Sequence, residues 1–453
     1  MGITKELAAF VAETPSQHIP TEAIQAAKPL VLDTLGISLA ASVAPVGKIA
    51  IRHVRELAGK AEASIIGGGM KTSAPEAAFA NAFMARCLEY DDCWLPMGHP
   101  SSTIVPTSLA MAESLSLPGR VMLESYILGV ETATKIALAC GDILSTGRTL
   151  SIYSVMGNAA AASRCLGLDA EKTTIAFGIA AAAAAGLLQR SNMILSFQQG
   201  IAARNGIVAA LLAKDGFTAA EDILERPMGF AQVFRGEHAQ GFGKTIESLG
   251  KPFHVVSPGV GVRKYPFVYF FQGVVDAVLE LLTEKNILYE DIKEVRVPVT
   301  PRQVEMFGMA KPQSVYEAKF NLPYILGTAI YKQKVDLESF SDEAIRDPRR
   351  LEAIGKVKLD TLKEAQIPTD APQQYFNPPV NIKLQDGREF SHRVDPPRGD
   401  WRDPKPKQEV VLPKFKRLSR LVLSEKNTQK VIDLVGELEE LDSLSELVGL
   451  LRM

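Results

Sequence analysis

Apolar residues recur at three- and four-residue spacing through most of the first 250 positions of this chain, a helical period. Residues 5–13 set Leu7, Phe10 and Val11 on one face. The run from Thr21 repeats Ile24, Ala27, Val31 and Leu35, with Thr21 as a fitting N-cap. The same period predicts helices over 75–88, 103–117, 121–140, 155–166, 170–188 and 200–214, separated by Gly-, Pro- and Ser-rich joints. The Ala180–Ala185 run lacks an amphipathic preference, so it reads as helix buried on several sides, or as a thin wall beside a substrate cavity. Near residue 258 the pattern changes. Val255–Val262 is rich in Gly, Pro and Val, and strand signals follow at Ile292–Val299, Val380–Leu384 and Glu389–Val394. The last two flank Asp386-Gly387, a hairpin turn signal. Helical periods at 266–284, 316–331 and 341–353 lie among them. Pro396, Pro397, Pro404 and Pro406 mark a linker, and from Val410 the tail is helical again, with Val431, Leu434, Val435, Leu438 and Leu441 at helical spacing. The fold class expected is mainly α with a second, smaller α+β domain.

Composition narrows the function classes. A length of 453 residues exceeds what one core usually serves, so two domains are expected. A net charge of −2 gives no electrostatic reason to bind nucleic acid or an anionic membrane. No long charge-free apolar stretch reads as a membrane span, and the first residues, Met1–Leu7, lack the apolar core of a signal peptide. Cys87, Cys93, Cys140 and Cys165 show no metal-ligand spacing and read as reduced thiols, so a cytoplasmic location is expected. Gly67-Gly68-Gly69 lacks the spacing of a dinucleotide-binding loop and reads as a turn in a short strand-like segment.

The chemistry concentrates in Glu89-Tyr90-Asp91-Asp92-Cys93-Trp94-Leu95-Pro96-Met97-Gly98-His99-Pro100-Ser101-Ser102, on the connection between two apolar helical runs. Loops held by rigid elements are where reactive side chains are commonly placed. Carboxylates beside an imidazole supply the acceptor and donor that elimination or isomerisation at carbon needs. Asp-Asp before a turn can also simply cap a helix or solvate a loop.

That loop resembles the signature of the MmgE/PrpD family, which includes 2-methylcitrate dehydratases, cis-aconitate decarboxylases and an iminodisuccinate epimerase. Further likenesses follow in family order. They are Leu32–Gly36, Gly157-Asn158 with Leu166-Gly167-Leu168, Gly200–Gly206, the hinge element Arg263-Lys264-Tyr265-Pro266, and Glu317–Tyr324 at the start of a lid helix. The resemblance implies a helical domain over 1–265 completed by 405–453, an α+β lid over 266–404, a site in the cleft between them, and a homodimer. It also implies metal-free chemistry without a cofactor, although Glu89, Asp91, Asp92 and His99 carry donors that suit several divalent metals.

Against the family pattern, the loop histidine is kept as His99. Glu89 stands for an aspartate and Cys93 for a small hydroxyl. A family histidine has no counterpart in Ser151–Ser154, Leu195 replaces a lysine, and Phe267 or Val268 replaces a polar residue. A tricarboxylate entering such a site would lose hydration without equal compensation. The expected reaction is therefore a cofactor-independent lyase reaction, dehydratase or decarboxylase type, on a small carboxylic acid other than 2-methylcitrate or cis-aconitate. His99 would act as general acid/base, with Asp91 or Asp92 orienting it or taking a proton, Glu89 beside them and Tyr153 donating where the family has histidine. Arg263 and Lys264 would hold a substrate carboxylate. Ser101, Ser102, Cys93, Gln198 (with Gln199) and Arg204 complete the candidate binding set, with Arg190 as a further cation. For Arg204, pairing with a neighbouring acid is the preferred reading. An isomerase or epimerase needs the same proton abstraction without a leaving group. A degenerate member binding a ligand or partner without catalysis is the reading from another class.

Overall fold

The computed structural model describes residues 2–94, 97–189, 192–236, 238–309, 311–363, 366–367 and 376–453. Helices α1 (Ile3–Glu13), α2 (Thr21–Val43) and α3 (Pro45–Leu57) lead into a small hairpin, β1 (Ala63–Ser64) with β2 (Lys71–Thr72). Then follow α4 (Ala74–Cys87), α5 (Pro100–Ser114), α6 (Gly119–Cys140), α7 (Ser151–Leu166), α8 (Ala170–Ala182) and α9 (Ile194–Lys214), with the short α10 (Phe230–Val233) and α11 (Phe242–Glu247). The second part holds α12 (Gln272–Glu284), β3 (Ile292–Val299), α13 (Pro301–Phe307), α14 (Val315–Lys319), α15 (Leu322–Lys332), α16 (Pro348–Gly355), β4 (Val357–Thr361), β5 (Val380–Leu384) and β6 (Glu389–His392). Helices α17 (Gln408–Ser419), α18 (Glu425–Gly436) and α19 (Ser445–Arg452) close the chain.

The protein is mostly helical, with one four-stranded sheet in the order β4-β3-β5-β6. β3 pairs parallel with β4 and antiparallel with β5, and β5–β6 is a hairpin turning at Gly387. The buried apolar side chains fall into two large clusters. One joins the helices before residue 263 and takes in Val411, Phe415, Leu418, Val431, Val435 and Leu451 of the tail. The other spans Tyr265 to Leu384 and packs α12 and α15 on the sheet. Helix α4 lies against α5 and α9, and α6 lies against α7. Helices α6 and α7 approach closely at Gly129 and Gly157, where a Cβ on either would come 2.8 or 2.7 Å from the other's carbonyl oxygen. Only glycine tolerates backbones that close.

Several elements differ from the periodic reading. Helix α8 stops at Ala182 instead of reaching 188, and Gly186 turns the chain with φ +143°, a conformation closed to most side chains. Helix α5 begins at Pro100, ahead of its apolar run, because a proline at the first helical position loses only an N–H that has no helical partner there. Ser101 and Ser102 are thus helical, not on the loop. Strand β4 was not foreseen: it is short and mostly exposed, and its partner β3 lies far away in sequence. Helix α2 is, by length and composition, long and apolar enough to cross a membrane, yet 89% of its most apolar window is buried inside this fold. Its Lys28 and Asp33 pair with Glu439 and Lys414. It is a core helix.

Candidate active site

The connection between α4 and α5 supplies the polar wall of a cavity of about 90 Å³ between the helical body and the α+β part. Arg86, Glu89, Cys93, His99, Thr149, Gln199, Arg263 and Tyr269 make up its polar lining. Leu144, Leu150, Leu188 and Leu195 from the helical body, with Val268, Phe270, Met306, Phe307 and Phe320 from the other part, make the rest apolar.

The polar wall is built from two guanidiniums and two carboxylates. Arg86 Nη1 lies 2.6 Å from Glu89 Oε1 and 3.3 Å from Asp91 Oδ1. Arg263 Nη1 lies 2.8 Å from Glu89 Oε2 and 3.4 Å from Asp91 Oδ1. All four are buried, so unpaired charge there would be costly and the quartet balances itself. Burial pushes the Glu89 carboxyl up, but the two arginines outweigh it and hold it below the ordinary range. Each arginine keeps a buried Nε with no hydrogen-bond partner.

His99 is the N-cap residue of α5, and its Nδ1 hydrogen-bonds the Asp92 carbonyl at 2.8 Å, with the Asp91 Oδ2 charge at 3.3 Å. Nδ1 therefore carries the proton and donates, which leaves the Nε2 lone pair as the ring's open nitrogen. Burial first, then the positive charges of Arg86 and Arg263, lower the imidazole pKa well below its ordinary value. At neutral pH the ring is uncharged and its free nitrogen is a base.

Asp92 faces the other way. Its Oδ2 accepts the Ser101 backbone N–H at 3.0 Å, and its Oδ1 is buried without a partner. Burial, reinforced by the charge of Asp91, pushes this carboxyl up to about 7. A carboxyl raised in the folded state contributes stability while protonated, and that contribution is lost as pH rises through 7. Urea unfolding at pH 5 and pH 8 should therefore show Asp92→Asn gaining about 2–3 kcal/mol on the parent between the two values. A constant offset would place Asp92 in an ordinary environment.

Other candidate residues are placed elsewhere. The Ser101 hydroxyl hydrogen-bonds Tyr126 at 2.7 Å, and Ser102 donates to the His99 carbonyl at 2.9 Å, so both brace the start of α5. Tyr153 donates to the Gly141 carbonyl at 2.7 Å, inside the helical core and away from the cavity. Lys264 turns away to Asp276 on α12 at 2.7 Å and does not line the cavity. Gln198 donates to the Leu187 carbonyl, whereas Gln199 reaches the cavity. Arg204 pairs with Glu76 at 2.7 Å on the surface. Phe267 stacks on Tyr265 in the second core, while Leu195 and Val268 line the cavity. Leu95, Pro96 and Arg190 lie outside the described residues. Among the described residues, no group of three or more His, Cys, Asp or Glu side chains is arranged to hold a metal ion.

Arg86 was not singled out from sequence. Its signal is an arginine in a helix buried on nearly every side, three residues before an acid. Lys414 was also missed. Fully buried on the tail helix α17, it donates to Asp33, to the Tyr90 carbonyl at 2.6 Å and to the Arg263 carbonyl at 3.0 Å, tying the loop to the hinge. Cys93 and Gly261 exchange backbone hydrogen bonds beside it.

Comparison with known proteins agrees with this architecture. The MmgE/PrpD N-terminal domain matches residues 5–242 and the MmgE/PrpD C-terminal domain residues 265–440. Among curated relatives, human (Homo sapiens) cis-aconitate decarboxylase is 27% identical over all of this chain and 95% of its own length. The cis-aconitate decarboxylase of Aspergillus terreus is 26% identical over all of this chain and 96% of its own length. A probable 2-methylcitrate dehydratase of Saccharomyces cerevisiae is 24% identical over 86% of this chain and 79% of its own length. With both domains matched in order across nearly its whole length, the chain belongs to the MmgE/PrpD family.

Proposed function

We propose that the protein is a cofactor-independent lyase acting on a small carboxylic acid that carries a single carboxylate and an apolar body. The observation that carries the reading is the His99 ring, whose Nδ1 is committed to the Asp92 carbonyl, with Asp91 close by, and whose Nε2 is left free at a cavity of mixed polar and apolar lining. Nε2 takes a proton from the carbon beside the substrate carboxylate, and the electron pair left behind forms the double bond as the leaving group departs. The imidazolium so formed is a strong acid, because its surroundings disfavour the charged ring, and it passes the proton to the departing group. Asp91 steadies the charged ring, and the Arg263 guanidinium at the cavity attracts the carboxylate.

Substrate charge follows from the same geometry. Both cavity arginines are already neutralised by Glu89 and Asp91, and Leu195 and Val268 stand on the apolar side. A di- or tricarboxylate would bury charge that nothing there compensates. A panel of small carboxylic acids, screened by thermal shift and then by turnover, should favour monocarboxylates over 2-methylcitrate and cis-aconitate. Turnover of either tricarboxylate at a kcat/KM of about 10⁴ M⁻¹s⁻¹ or more would overturn this reading.

Isomerisation of the same substrate class is the second reading. One observation favours it: His99 is the only residue of the polar wall with an uncommitted proton-accepting nitrogen, which suits removal and return of one proton. The family reading also carries a homodimer, supported by the exposed side chains of Leu187, Met193 and Phe197 beside the cavity wall. Light scattering at micromolar concentration should read twice the chain mass, and a monomer mass would end that proposal.

A further inference from the structure

Helix α4 ends in an unusual way. Glu89, two residues past its last helical residue, sits at φ +52°, the left-handed region that glycine or asparagine normally fills at a helix end. A residue with a Cβ held there costs on the order of 1–3 kcal/mol and persists only where its surroundings over-determine it. Glu89 is also the carboxylate both cavity arginines share. Whatever fixes the peptide between Leu88 and Glu89 therefore aims the polar wall.

That contact comes from the other domain. Lys319, at the end of α14, is buried, and its Nζ donates to the Leu88 carbonyl at 2.9 Å. The carbonyl belongs to the negative end of α4, where a cation is favourable. The backbone carbonyl of the same lysine accepts the Val268 N–H at 3.0 Å, and the next residue, Phe320, lines the cavity with Val268. One residue thus joins the apolar wall of the α+β part to the polar wall of the helical body. Burial pushes its ammonium down to about 8. Buried lysine is expensive to keep, and its aliphatic stem alone would fill this space as well.

We propose that Lys319 is a positioning residue that clamps the Leu88–Glu89 peptide and so links the seating of the α+β part on the helical body to the alignment of Glu89, Asp91 and His99. The importance of that alignment rests on the reading of the cleft as the reactive site. The clamp itself is tested without turnover, so the two can fail separately.

The test is Lys319→Met in the full chain, which keeps the stem and removes the donor, with Lys319→Gln as a milder variant keeping a neutral donor. Two signals are read. One is backbone hydrogen exchange at Glu89–Asp92, with α15 as a control; the other is the ring ¹⁵N resonances of histidine-labelled protein, His99 being assigned through His99→Gln. In Lys319→Met, exchange at Glu89–Asp92 should accelerate by roughly tenfold or more while α15 stays protected. The His99 signals should move, whereas those of His254, packed on Trp94 at 3.9 Å between ring centroids, should not. Lys319→Gln should show the same displacement in smaller degree, and it decides the matter if Lys319→Met does not fold. Parent-like exchange and parent-like His99 signals in the folded variants would overturn the proposal.

Discussion

His99→Gln should melt like the parent and lose on the order of 10²–10⁴-fold in turnover on any substrate the protein accepts. Glutamine can still donate to the Asp92 carbonyl, the contact that the ring makes through Nδ1 at 2.8 Å, so the loop keeps its anchor. It lacks a nitrogen that can take and return a proton. The substitution thereby separates two roles that His99→Ala would confound. If the ring serves only to hold the loop, His99→Gln retains most of the activity, and the acid/base assignment ends there. The pH profile adds a second check. Burial and two neighbouring cations lower the ring's pKa, so the parent's base limb should fall below the ordinary histidine range. A limb at or above that range would show another group titrating.

The largest stability effect is expected at Arg263. Arg263→Met removes one cation from the quartet and leaves Glu89 and Asp91 to share Arg86, so one buried carboxylate loses its counter-charge. Breaking a buried pair in this way costs about 3–5 kcal/mol. Adding Glu89→Gln removes the excess charge and should return roughly half of the loss, since residues in one network couple strongly. Urea unfolding of the parent, both single variants and the double variant measures the cycle. Strict additivity would mean that the four groups do not act as a unit.

Much of the fold is legible in the pattern of the chain. Helical periods located most of the first domain, and the β-branched runs located three strands of the sheet. The acidic loop was legible because its polar residues interrupt apolar helices on both sides. Contacts between segments far apart in sequence were not legible. Nothing local in Lys414 announces that it reaches the loop, since burial of a long cation is settled by its partners. Orientation misled the reading at Lys264. The chain bends from Lys264 onward, and Asp276 takes its ammonium while Glu89 and Asp91 take the Arg263 guanidinium. Tyr153 was proposed by alignment with a family histidine, and a neighbouring carbonyl, that of Gly141, takes its hydroxyl instead.

The self-balanced quartet also constrains how this site can change over generations. With both arginines and both acids buried and sharing atoms, a single replacement that alters charge leaves a buried ion unpaired, while a paired replacement of opposite sign restores the charge balance and part of the stability. A lineage moving from a multiply charged substrate to a less charged one would have to pass through an unstable intermediate or shift two positions together. Replacements at lining positions outside the quartet, such as Leu195 and Val268, meet no such barrier. The apolar wall is where new specificity drifts in freely, and the charged wall is the part such a lineage inherits whole.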